Sequence, residues 1–199
     1  MEGAHPLMSV SLQKGQKVSL VGPGGGALTR VRMGLGWDAA VKRGLFGRRR
    51  PQPIDLDASC LLFDASGNLT DAVWFRQLRS KDGAVRHTGD NLTGEGEGDD
   101  ESIIVDLAAL PAGIAQLVFT VNSFTGQGFS QIVNAFCRLV DETTGEELAR
   151  YDLSETGPHT AQIMAKVSRD GQGWSMTAIG ATATGRTFQH LLPEVTAHL

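Results

Sequence analysis

Short apolar runs with a two-residue period recur along this chain at intervals of about ten residues, each bounded by turn residues. The clearest cover residues 8–12, 17–21, 28–35, 56–63, 72–77, 102–107, 116–121, 135–140, 148–153, 161–168 and 174–179. Between them stand Gly22-Pro23-Gly24-Gly25-Gly26, Ser66-Gly67-Asn68, Lys81-Asp82-Gly83, Thr143-Thr144-Gly145 and Arg169-Asp170-Gly171, combinations that favour tight turns. Helical periodicity is confined to two short stretches, around 128–134 and at 187–192 before Pro193. The expected fold is therefore all-β, an antiparallel β-sandwich with one or two short helices. A tail at 1–7, the sandwich at 8–193 and a second tail at 194–199 complete the expected layout.

Composition narrows the function classes. The 199 residues are 41% hydrophobic and 20% charged, enough apolar material for a core, and the net charge of −4 argues against general nucleic-acid binding. The start of the chain has no basic stretch leading into an apolar one, so a cytoplasmic location is expected. Cys60 and Cys137 lie far apart with no Cys-x-x-Cys spacing, which predicts two reduced thiols packed in strands. Residues 102–121 approach bilayer length, but Asp106, Pro111, Gly113 and Gln116 interrupt them, and two buried strands around a turn are expected. Gly22-x-Gly24-x-x-Ala27 imitates a dinucleotide fingerprint, yet a strand rather than a helix is expected after it. No P-loop or nucleophile elbow is present, and no His lies near a convincing Ser or Cys nucleophile. No enzyme is expected, and His87 is read as structural.

Two stretches break the composition. Residues 42–50, KRGLFGRRR, hold five bases and no acid and read as an exposed loop. Residues 90–101, DNLTGEGEGDDE, hold six acids and no base. Two carboxylates about 5 Å apart repel by roughly 3 kcal/mol at an effective dielectric near 20. Ordering this segment without a cation is therefore costly. Gly94, Gly96 and Gly98 alternate with Glu95, Glu97 and Asp99, so the backbone can bend and turn carbonyls inward beside the carboxylates. An oxygen-rich cage of this kind suits Ca²⁺ before Mg²⁺, and without a Cys or His cluster it is poorly suited to zinc or copper. The twelve residues do not form an EF-hand, since Leu92, Gly94 and Glu95 occupy its third, fifth and sixth positions. Asp55 and Asp57, two apart on an extended strand, can reach one ion together, and Asp38 is a candidate from another loop. The alternative is a solvated acidic loop that meets a basic partner with no metal.

The residues resemble a known family, the TerD domain of bacterial tellurium-resistance and general stress proteins. The resemblance rests on Val10-Ser11-Leu12, Gly34-Leu35-Gly36-Trp37-Asp38, Asp55-Leu56-Asp57-Ala58-Ser59, the block from His87 to Glu101, Val105-Asp106-Leu107, Asn134-Ala135-Phe136 and Glu147-Leu148-Ala149-Arg150-Tyr151-Asp152-Leu153. It implies a β-sandwich binding two calcium ions through acidic loops at one end. Carried onto this sequence, it implies metal contacts from Asp55, Asp57, Asp90, Asn91, Glu95, Glu97, Asp99, Asp100 and Glu101, in addition to the candidate Asp38. Where family members often carry an acid two residues before the Asp-Leu-Asp block, this chain has Pro53, and the segment Asn122-Ser123-Phe124-Thr125-Gly126 is shorter than usual. The implied role is a calcium-stabilised module for other proteins of a stress or tellurium-resistance complex, reaching a membrane only indirectly. A metal-dependent hydrolase or a tellurite reductase is the rival class.

Overall fold

The computed structural model describes residues 9–22, 25–39, 41–43, 49–51, 54–89, 98–153, 157–171 and 173–199. In chain order the strands are β1 (Val10–Ser11), β2 (Lys17–Leu20), β3 (Arg30–Ala39), β4 (Val41–Arg43), β5 (Arg49–Pro51), β6 (Leu56–Asp64), β7 (Leu69–Val73), β8 (Val85–His87), β9 (Glu101–Asp106), β10 (Ile114–Ser123), β11 (Ile132–Asp141), β12 (Glu147–Asp152), β13 (Ala161–Asp170) and β14 (Gly173–Ala183). They build two six-stranded sheets, ordered β1-β12-β11-β3-β9-β8 and β2-β14-β13-β10-β6-β7. All pairings are antiparallel except β1 against β12, where Val10 lies beside Ala149.

Alternation sorts side chains between the faces. On β3, Val31, Met33, Leu35 and Trp37 point into the core between the sheets, where they meet Ile103 and Val105 of β9 and Leu117, Phe119 and Val121 of β10. The apolar run that approached bilayer length is split between the layers, with β9 in one sheet and β10 in the other. Strand β6 is buried on both sides. Leu56, Ala58, Cys60 and Leu62 face the main core, while Leu61 and Phe63 face a second apolar cluster on the outside of the sheet. This explains why the β6 sequence reads as a nearly continuous apolar run. The second cluster is capped by the chain end, a 3₁₀ turn at Phe188–Leu191 continuing into α1 (Leu192–Thr196), with Leu191 and Val195 fully buried.

Several local expectations are corrected. Pro193 does not end a helix but stands in the first turn of α1, where its missing N–H breaks no helical bond. Residues 194–199 pack on the sheet, through Val195 and Leu199 and a 2.6 Å bond from Lys166 Nζ to the His198 carbonyl. Around 128–134 only a 3₁₀ turn at Phe129–Gln131 forms, because the β-branched Ile132 and Val133 already belong to β11. Trp74 is not on a strand; it closes a tight turn with Gln77 through two backbone bonds of 3.0 and 2.9 Å. The basic stretch 42–50 is not wholly loop, since β4 and β5 pair, Lys42 opposite Arg50, on either side of 44–48. Cys60 and Cys137 are buried free thiols on strands, as the spacing predicts. Val21 bridges Ala27 and the strand β3 follows, where a dinucleotide fingerprint needs a helix.

Candidate metal centre

One end of the sandwich gathers acids from both sheets. Strand β7 pairs with β6 only from Cys60 to Phe63, so among the described residues no strand pairs with the first residues of β6 on that side. The Ala58 N–H at this gap donates to Glu101 Oε2 at 2.8 Å, bringing the first residue of β9 across from the opposite sheet. Glu101 is 1% exposed and Asp57 5%, an unusual depth for two carboxylates. Behind them, His87 on β8 accepts the Gly89 N–H on Nδ1 at 3.0 Å. A neutral ring therefore carries its proton on Nε2, which stands 3.3 Å from Glu101 Oε2. His87 is a packed companion of that carboxylate.

Trp37 ties a second set of acids to the same end. Its backbone N–H donates to Asp100 Oδ2 at 2.9 Å, and its indole N–H donates to the Ile54 carbonyl, next to Asp55, at 3.0 Å. The Phe124 N–H bonds the Asp55 carbonyl at 3.2 Å, so the end of β10 is held there too. Burial pushes the Asp100 carboxyl above its ordinary range; the Trp37 N–H opposes the shift, and the charges of Asp38 and Asp99 add to it. Asp38 is exposed and accepts from Asn134 Nδ2 at 2.8 Å. Asn134, at a φ of 54°, lies where the register of β11 against β3 slips.

Asp99 has a different environment. Arg32 Nη1 lies 2.5 Å from its Oδ2 and Arg138 Nε 2.6 Å from its Oδ1, with the side chain 4% exposed. The two guanidiniums reach on to Glu142 and Glu147. Position 34 is glycine because Asp99 occupies the space of a side chain there; at Gly36 a Cβ would come within 2.7 Å of the Gly98 carbonyl. Sequence reasoning counted Asp99 as a metal contact and missed this clamp. Its signal was available: Arg32 precedes Gly34 by two on one face of β3, and Arg138 is the cross-strand partner of Gly34.

The structure thus brings Asp55, Asp57, Asp100 and Glu101 to one end, with Asp38 and Asp99 bordering Asp100. Asp90, Asn91, Glu95 and Glu97 lie outside the described residues. Among the described residues no three Asp, Glu, His or Cys side chains converge closely enough to hold an ion by themselves. The donor chemistry fits a hard divalent cation, since the gathered side chains are carboxylates and a positive charge would favour the ionised form of Asp100, which burial first and then the charges of Asp38 and Asp99 oppose. Among the described residues no helix is long and apolar enough to cross a membrane.

Fold and rim together define an all-β sandwich with an acidic end built from both sheets. Comparison with known proteins places it more closely: the TerD domain matches residues 8–194, and the chain belongs to that family. It is 50% identical to the tellurium resistance protein TerZ of Serratia marcescens over 188 residues, covering 94% of this chain and 96% of that one. It is 41% identical to the stress response protein SCP2 of Bacillus subtilis over 186 residues, 87% and 92% of the two chains. A solved structure of a homologue of telluride resistance protein TerD from Streptomyces coelicolor shares the fold, with a TM-score of 0.68 at 22% identity over 85% of this chain and 98% of that one. This is a protein of the tellurium-resistance and stress-response family.

Proposed function

We propose that this protein is a non-enzymatic calcium-binding module whose two ions order the acidic rim and complete a surface for another protein of a stress or tellurium-resistance system in the cytoplasm. The supporting observation is the Glu101 carboxylate reaching between sheets to Ala58, which sets Asp57 beside the end of the acidic segment. Asp55, Asp57, Asp100 and Glu101 would supply contacts, together with Asp90, Asn91, Glu95 and Glu97. Asp38 borders the site. Asp99, already held by two arginines, contributes charge and anchors the segment's end. Bound calcium would add positive charge among these carboxylates.

Calorimetric titration of the metal-stripped chain with CaCl₂, and with MgCl₂ in parallel, tests the reading. Calcium-selective binding that is lost in Asp57→Asn supports it; no calcium binding by the intact chain returns the rim to a metal-free acidic surface. Partner capture that is equal in calcium and in chelator would separately remove the ordering role.

A further inference from the structure

We propose that the outer face of the sheet containing β3, β8 and β9 carries a second site, for a multiply charged phosphoryl oxyanion, built from Arg30, Arg79 and Arg86. These side chains line a cleft of about 420 Å³ together with Asp106 and Glu142, a volume on the scale of a small-molecule site. Arg79 and Arg86 are cross-strand backbone partners, so two like charges stand side by side on exposed positions. Such a pair is destabilising by itself. Among the described residues no carboxylate lies within ion-pair range of either one.

The nearby acids are already engaged, Asp106 in part by Arg30 itself. Asp82, in the turn between the two arginines, accepts the Ser80 hydroxyl and the Ala84 N–H on Oδ1, each at 2.7 Å, and is spent on the turn. Asp106 accepts the Ala109 N–H at 3.0 Å and meets Arg30 only at 3.5 Å. Glu142 pairs with Arg32 at 3.0 Å. Three guanidiniums therefore face a cleft whose two carboxylates are already partnered.

The turn that presents them is rigid. Ser80 N–H bonds the Val85 carbonyl, Val85 N–H bonds Ser80 Oγ, and Asp106 N–H bonds the Ala84 carbonyl, fixing the hairpin to β9. Forks approaching from separate strands suit an anion with several oxygens pointing in different directions; a lone carboxylate, with two oxygens in one plane, satisfies a single fork. The cleft opens on the outer face of the sheet and does not depend on the calcium reading.

The test is calorimetry on the full chain, without added divalent ions, using sodium pyrophosphate and inorganic phosphate as probes and sodium chloride at matched ionic strength. Pyrophosphate is expected to bind more tightly than phosphate, and Arg79→Gln/Arg86→Gln to weaken it by at least about tenfold. Arg76→Gln, a charge change outside the cleft, is expected to leave it unchanged. The proposal is overturned if pyrophosphate heats match the chloride control, if Arg76→Gln weakens binding as much as the double change, or if citrate binds as tightly as pyrophosphate. It is also overturned if light scattering shows the arginine face occupied by a second copy's acidic segment, as self-association that the double change abolishes. Should the double variant misfold by circular dichroism, Arg86→Lys replaces it: retained charge without the fork must still lower pyrophosphate affinity.

Discussion

Asp99 rests on Gly34, its carboxylate filling the space a side chain would take on the outward face of β3 and bridging Arg32 to Arg138. A Gly34→Ala change forces that carboxylate off its seat and opens both ion pairs. We expect a loss of at least about 2 kcal/mol in denaturant unfolding, from overpacking and the stranded charges together. Calcium affinity should fall as well, because Asp100 and Glu101 follow directly in the chain. Unchanged unfolding midpoint and calcium affinity would show that Asp99 anchors nothing.

Glu101 offers a cleaner separation of structure from charge. Glu101→Ala leaves the buried Ala58 N–H without its acceptor, at a cost of about 1–3 kcal/mol. Glu101→Gln keeps an acceptor oxygen and should recover much of that stability while remaining defective in calcium binding. Urea unfolding and calorimetry on the two variants distinguish the roles; equal stability loss in both would assign the effect to charge rather than to the hydrogen bond.

Most of the architecture was legible in the residues because period-2 alternation and glycine turns report on faces and corners directly. Nearly all long strands fall on the expected runs. What escaped was fixed by tertiary neighbours. Val85–His87 is too short to show a period, and it is a strand only because β9 pairs with it. The hairpin flanking 44–48 was hidden by its charge, and Trp74 by its apolarity, which suits a packed turn as well as a strand. At the rim, the sequence identified the acids but not their division of labour. Asp99 and Asp100 are neighbours with the same side chain, yet one meets two guanidiniums and the other a backbone N–H and two like charges. Only the register of β3 against β11 separates them.

That division carries a pH prediction. Asp100 has its carboxyl raised in the folded state, so between the unfolded and the folded values the native protein binds more protons than the unfolded chain. Its contribution to stability therefore falls as pH rises through that window, and at neutral pH the ionised group disfavours the metal-free fold. Asp100→Asn keeps an oxygen for the Trp37 N–H and removes the charge. In chelator at pH 7 the variant should be at least as stable as the unmodified protein, and the difference should shrink toward acid pH. In calcium the order should reverse, through lost mass-action stabilisation of about 2.7 kcal/mol at a hundredfold excess of ion over its dissociation constant. A variant less stable than the original in chelator would contradict this account.

The thiols give a test of the non-redox reading. Burial pushes the Cys137 thiol up to about 12 and lifts Cys60 as well, with the charge of Asp71 adding to it. Thiolate is then scarce at pH 8 in the native state. A disulfide reagent should label neither residue in the folded protein and both after denaturation. Rapid native labelling at either position would reopen a redox role.

The chain end settles whether the second apolar cluster is structural or incidental. Leu191 and Val195 are fully buried against Leu61, Phe63, Val118 and Ile163 on the outside of the sheet. Each buried aliphatic side chain contributes about 1.5–3 kcal/mol. Ending the chain after Thr187 removes both, along with Phe188, and bares the face they cover. The truncated protein should lose roughly 5 kcal/mol or more by that arithmetic and bind a hydrophobic dye in its native state. Because the acidic rim is built from the starts of β6 and β9, calcium should still bind wherever the truncated chain remains folded. If calcium binding were lost while the far-ultraviolet spectrum stayed native, the two regions would be coupled through β6, the strand that touches both clusters and begins beside Asp57.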